Sequence, residues 1–195
     1  MQGIKNFKKI LKDMEPFVKD PIYLMRGIRF DNFDMLVREA WANWLLCVVL
    51  RKLKGKDITF REDDGDGSII DKKTGQTQKL EHVCAMDFPE GKKLPEGEER
   101  IMWAINHKIN RGAKYALNKS LVVFVDGARL WCPNKVAKRI ANKHFFNQIY
   151  CVGFLSAHKW GYSYSVTQLI IGVNSPTWEI LINNDFTGWE IKVIQ

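Results

Sequence analysis

Asp66 and Glu81 are the residue pair with the most chemical potential, because a single turn fixes their relation. The stretch Asp71-Lys72-Lys73-Thr74-Gly75-Gln76 puts glycine where a type I turn followed by a left-handed residue needs it, so a tight hairpin is expected. Pairing Asp71 with Gln76 sets a register that carries Asp66 directly across from Glu81. Side chains so opposed have Cβ atoms about 4.5 to 5.5 Å apart, and two carboxylates there repel unless something positive lies between them. A hard divalent cation with oxygen ligands, Mg²⁺ or Mn²⁺, is the natural candidate. The competing reading makes Asp63, Asp64 and Asp66 a solvated acidic turn and Glu81 a surface charge. Against it, Glu81 lies in the apolar run Leu80-Glu81-His82-Val83-Cys84-Ala85-Met86, where an unpaired buried charge is costly.

A calcium loop is a second metal reading. Residues 62 to 69, EDDGDGSI, resemble the first half of an EF-hand, but the first ligand position holds Glu62 and the closing bidentate glutamate is replaced by Lys73. The histidines His82, His107, His144 and His158 show no zinc-ligand spacing, and no nucleophile elbow, P-loop or dinucleotide glycine motif is present.

The elements that would hold these acids follow from periodicity. A long helix is expected from an N-cap at Asp31 to Leu53, since Phe33, Leu36, Val37, Ala40, Trp44 and Val48 recur at helical spacing and Gly55 stops it. Being apolar nearly all round, it should be buried. Strands are expected at 58–61, 68–71 and 77–86, a second helix at 98–117, and a fully buried strand at 121–125 with a parallel neighbour. A third helix at 134–144 and a strand at 149–155 follow, and then the strands 162–171, 178–182 and 189–194. The fold class is therefore α/β, a mixed central sheet flanked by helices. One domain of 195 residues is expected, with an N-terminal amphipathic helix over 1–20, a core over 31–155 and a β-rich extension over 160–195. Residues 87 to 97, DFPEGKKLPEG, read as a surface loop.

This order of elements, with Asp66 at the start of the second strand and Glu81 on the third, resembles the PD-(D/E)XK nuclease superfamily over residues 31–155. The resemblance implies a restriction-endonuclease-like core, αβββαβαβ, with additional C-terminal β-strands. It implies Mg²⁺ or Mn²⁺ held by Asp66 and Glu81 with help from the main-chain carbonyl of His82, and an attacking water activated by a lysine. Val83 stands where that lysine belongs. Residues 81 and 83 share a strand face, and a valine cannot serve a developing hydroxide.

Some members of the superfamily supply the lysine from the following helix, where Lys108 stands. Ile101, Ile105, Lys108 and Gly112 lie at i, i+4, i+7 and i+11, so Lys108 faces either the sheet or, as a snorkelling stem, the margin of the stripe. Lys79 is a weaker substitute. Glu39 corresponds to a third acid of some members, though its helical angle favours a solvated charge.

Thirty basic against twenty-two acidic residues give a net charge of +8, which attracts polyanions. Arg111, Lys114, Lys72 and Lys73 are the expected phosphate contacts, with Lys119 nearby, and nucleic acid, DNA first, is the expected partner. The alternative is a catalytically inactive nuclease-like domain that binds nucleic acid or protein. The strand-rich region from Tyr162 onward can serve as a dimerisation or specificity element, giving a homodimer. Cys47, Cys84, Cys132 and Cys151 form no metal or CxxC pattern and read as reduced core residues. No apolar run approaches the ~20 residues that span a bilayer, so a cytoplasmic protein without membrane contact is expected.

Overall fold

The structure is a computed structural model, and it describes residues 4, 6–20, 28–30, 35–63, 66–89, 91 and 93–195. Asp31, Phe33, Asp64, Gly65, Glu90 and Lys92, which figured in the expected helix start, calcium loop and surface loop, lie outside the described residues.

Eight strands form one sheet in sequential order. They are β1 (Ile58–Arg61), β2 (Ser68–Asp71), β3 (Thr77–Cys84), β4 (Lys119–Phe124), β5 (Ile149–His158), β6 (Gly161–Gln168), β7 (Thr177–Asn183) and β8 (Trp189–Val193). β1, β2 and β3 make an antiparallel meander; β3, β4 and β5 are parallel; β5 to β8 return to antiparallel pairing. Parallel neighbours need crossovers, and these are supplied by α3 (Gly97–Ile109) with the short α4 (Ala113–Ala116), then by α5 (Pro133–Ile140). α1 (Phe7–Lys19) and α2 (Val37–Lys54) precede the sheet.

The alternation of strand side chains divides the core in two. Leu80, Cys84, Val122, Phe124, Val152, Val166 and Ile180 face α1 and α2, whereas Val83, Leu121, Val123, Ile149 and Cys151 face α3 and α5. β4 is therefore covered on both faces, as its unbroken apolar sequence requires. α2 is buried from Ala40 to Leu50, as its all-round apolarity predicts. Its Trp41 and Trp44 stack at 5.2 Å and meet Tyr164 and Trp189 edge-on, tying the helix to the C-terminal strands.

Three expected helix ends move. α2 begins at Val37, where the Leu36 amide donates to Glu39 Oε2 at 3.0 Å. The helix expected over 98–117 breaks at Asn110, because Gly112 takes φ +85° and restarts the chain as α4. α5 ends at Ile140 and the chain leaves through Asn142 at φ +56°, a conformation asparagine tolerates. Among the described residues, no helix is long and apolar enough to cross a membrane.

The β6 hairpin demands one glycine on steric grounds. A Cβ at Gly161 would lie 1.8 Å from the Ile182 carbonyl oxygen, a main-chain atom held in the β6–β7 ladder. Gly161→Ala is expected to lower the unfolding free energy by roughly 2 kcal/mol or more in urea titrations. An unchanged midpoint would show that β6 and β7 are not packed this closely.

Candidate active site

The hairpin register is the one expected: Ser68 pairs with Lys79, Ile69 with Gln78 and Ile70 with Thr77. One further bond, Leu80 N–H to Gly67 O at 2.9 Å, continues it. There the strand pairing stops, so the direct ladder pairing of Asp66 with Glu81 is not made. Gly67 turns away at φ +106°, packed so tightly that a Cβ would sit 2.7 Å from Asn43 Nδ2. The Asp66 side chain then takes over from the main chain: its Oδ2 accepts the His82 amide at 2.6 Å. Asn43 of α2 holds the Asp66 carbonyl at 3.0 Å from behind. Asp66 Oδ1 receives no hydrogen bond from the described residues.

Glu81 is held by lysines. Lys108 Nζ donates to Oε1 at 2.5 Å and Lys119 Nζ to Oε2 at 3.3 Å. The Lys108 side chain is only 12% exposed and that of Glu81 13%, so the helix does aim this lysine at the sheet. Parallel pairing sets Lys119, the first residue of β4, beside Lys79 and two residues before the partner of Glu81. Lys79 itself is exposed and forms no ion pair with Glu81 among the described residues.

Tyr115 completes the cluster. Its hydroxyl accepts from Lys108 Nζ at 3.3 Å and Arg111 Nη1 at 3.2 Å. Lys119 and Arg111 lie 4.3 and 4.8 Å from its ring centroid. Burial, with the nearby Glu81 carboxylate, pushes the Tyr115 hydroxyl pKa well up. It is therefore a neutral hydrogen-bonding group.

His82 turns its ring to the other face, buried against the α2 side, with Nδ1 3.4 Å from Asp66 Oδ2. Neither ring nitrogen has a hydrogen-bonding partner among the described residues. Burial opposes charge on Asp66, but the His82 ring and amide, with Lys108, outweigh it and hold the carboxyl below the usual aspartate range. Glu39 is not the solvated charge its helical angle suggested. It is half-buried, and burial, reinforced by the charge of Asp66, pushes its carboxyl up against the opposing pull of His82.

The structure thus gathers Asp66, Glu81, His82 and Lys108, with Arg111 at the margin. Lys114 is exposed on α4 next to Tyr115. Lys72 and Lys73 are exposed at the hairpin tip, roughly 20 Å from Glu81 at about 3.3 Å per residue, and do not join the cluster. Tyr115 and the direct role of Lys119 were missed; the i, i+4 spacing of Arg111 and Tyr115 was a signal for their own contact and gave none for Lys119.

Among the described residues, no three His, Cys, Asp or Glu side chains converge as a metal cage. Magnesium does not require one, since it keeps waters and takes one or two carboxylates. Asp66, whose Oδ1 takes no hydrogen bond from the described residues, Glu81 and the His82 carbonyl are oxygen donors of the hard kind that such an ion takes, provided the ammonium groups on Glu81 give way. Two cavities, of about 410 and 640 Å³, lie elsewhere, the first between α2 and the hairpin and the second beside Asp126 and Trp131; neither is lined by Asp66, Glu81 or Lys108. Set against known proteins, the chain matches no family model, no curated protein and no solved structure.

An acid whose folded pKa is raised weakens the fold once ionised. The penalty from Glu39 is absent below the ordinary glutamate pKa of about 4.3 and grows as pH rises through the elevated folded value. Glu39→Gln, which can still accept the Leu36 amide, is expected to melt higher than wild type at pH 7, with the gap closing by about pH 4. A lower melting temperature at pH 7 would contradict this burial.

Proposed function

We propose that the protein is a metal-dependent nuclease of the PD-(D/E)XK type, hydrolysing phosphodiester bonds in DNA in the cytoplasm. The observation that carries this reading is Lys108. A lysine from the helix after β3 reaches Glu81 at 2.5 Å and also lowers the pKa of Asp66, supplying from α3 the cation that Val83 withholds. The order of elements is a second support. A buried helix, an antiparallel meander, a crossover helix and a strand parallel to β3 form the arrangement on which the resemblance rests.

Bound at Asp66 and Glu81, Mg²⁺ or Mn²⁺ would polarise the scissile phosphate and lower the pKa of a water. The chain's own groups do the rest. Lys108, released from Glu81, is placed to stabilise charge developing on the phosphate, and its Tyr115 contact keeps it near the acids. Lys119 and Arg111, both against the Tyr115 ring, offer cations to flanking phosphates. We extend the reading to a homodimer through the C-terminal strands, which would offer two such sites to one duplex.

A second reading has its own support. Both oxygens of Glu81 are taken by lysines, as in a purely structural ion-pair network, which favours an inactive nuclease-like module that binds nucleic acid or protein. Incubation with supercoiled plasmid separates the two. Wild type is expected to nick with Mg²⁺ and stop with chelator, and Glu81→Gln and Lys108→Met to be slower by about 100-fold or more. Equal nicking by wild type and variants would remove this site from the reaction. A salt-dependent gel shift without cleavage in Mg²⁺ or Mn²⁺ would establish the binding module instead.

A further inference from the structure

The two edges of the sheet are finished differently. Outside β1, residue Ile4 runs alongside: its amide donates to Phe60 O at 3.1 Å, and its carbonyl accepts from Thr59 Oγ1 at 2.7 Å. β8 at the other end pairs with β7 alone, and among the described residues nothing pairs with its outer side.

The phase of that open edge can be worked out. Asn183 N–H donates to Gly188 O, and Ile194 N–H to Thr177 O. Hydrogen-bonded and non-hydrogen-bonded pairs alternate along an antiparallel ladder, so residues 188, 190, 192 and 194 direct their main-chain groups at β7. Trp189, Ile191 and Val193 therefore direct theirs outward. We propose that β8 pairs antiparallel with β8 of a second copy of this chain about a two-fold axis at Ile191, joining the two sheets into one.

Only this centre satisfies both the backbone and the charges. Ile191 then faces Ile191 of the second copy, and Trp189 faces Val193, all with outward main-chain groups. Between them, Glu190 falls opposite Lys192, in the non-hydrogen-bonded positions where side chains come closest. The two-fold repeats the pair, giving two Glu–Lys contacts. Centring on Glu190 or Lys192 would pair the same outward main-chain groups but would set Glu190 against Glu190, or Lys192 against Lys192, of the second copy.

Exposure agrees with a covered edge. Glu190 and Lys192 are both exposed, Val193 is 71% exposed and Ile194 53%. Edge strands are commonly guarded by charges, lysine above all, that repel a second strand. Here the two charges are of opposite sign and symmetric about an apolar centre, so they attract a copy of themselves. Such an isologous contact closes on itself and stops at two subunits.

Sedimentation equilibrium of the full chain across a concentration series tests this independently of the chemistry at Glu81. A monomer–dimer equilibrium is expected. Glu190→Lys and Lys192→Glu should each weaken dimerisation by roughly ten-fold or more, because each sets two like-charged pairs face to face. The double exchange Glu190→Lys/Lys192→Glu should return it to within about three-fold of wild type. Circular dichroism of each variant confirms that its fold is intact. A monomer at every concentration, a dimer indifferent to the single reversals, or a double exchange as weak as the singles would each overturn the proposal.

Discussion

A carboxylate inside an apolar strand has to be neutralised where it stands, and much of the architecture around Glu81 follows from that constraint. Burial of a charge is tolerable only with partners of opposite sign within hydrogen-bond reach. One partner comes from α3, whose phase turns Lys108 inward beside the core residues Ile101 and Ile105. The other comes from the first residue of β4, which parallel pairing with β3 brings to the same end of the sheet. The break at Gly112 lets α4 set Tyr115 against both lysines. Helix phase, crossover and strand register thus converge on one acidic side chain.

Asp66 is placed by a different device. Where β2 parts from β3, the amide of His82 would lose its ladder partner, and an orphaned amide in a half-buried setting is costly. The aspartate side chain supplies the missing acceptor, and Gly67 makes room for the chain against Asn43 and Met35 of the α2 layer. The same divergence that ends the pairing leaves Asp66 Oδ1 without a hydrogen bond from the described residues. A strand pairing carried two residues further would have given His82 a main-chain partner and left the aspartate no structural task.

The hairpin was legible in the sequence, and the inward lysine was one of the two readings left open there, because each depends on local periodicity. A turn with glycine in the left-handed position fixes a register, and an i, i+4, i+7 series fixes a helix face. The mixed sheet with helices on both faces was legible for the same reason, from the alternation of strand and helix patterns. The helix break was not. Asn110-Arg111-Gly112 continues the apolar phase from Ile109 to Ala116, and one glycine inside a helical pattern is a weak stop. Without that break Tyr115 could not be seen as a partner of Lys108, and Lys119 read as one more basic residue. Glu39 was misjudged because its angle was measured against the helix's own stripe. α2 is buried all round, so an off-stripe position still faces protein, here Asp66 and His82.

The charge balance of the cluster decides how such a site can work. Against the carboxylates of Asp66 and Glu81 stand Lys108, Lys119 and Arg111, and burial discourages Glu39 from adding a third negative charge. A buried ion pair contributes little net stability over apolar residues of the same shape, so stability alone is a poor reason to build one. The arrangement has a clearer logic as an exchange. A divalent cation held as proposed would have to share or replace the ammonium groups on the Glu81 oxygens, and a displaced ammonium would gain from another anion nearby. On the proposed reading a phosphate lying across the site would be such an anion, and Lys108 and Lys119, released from Glu81, would have it as their new partner. On that reading the surplus of positive charge, unhelpful to an isolated fold, would be the part of the site that recognises a polyanion.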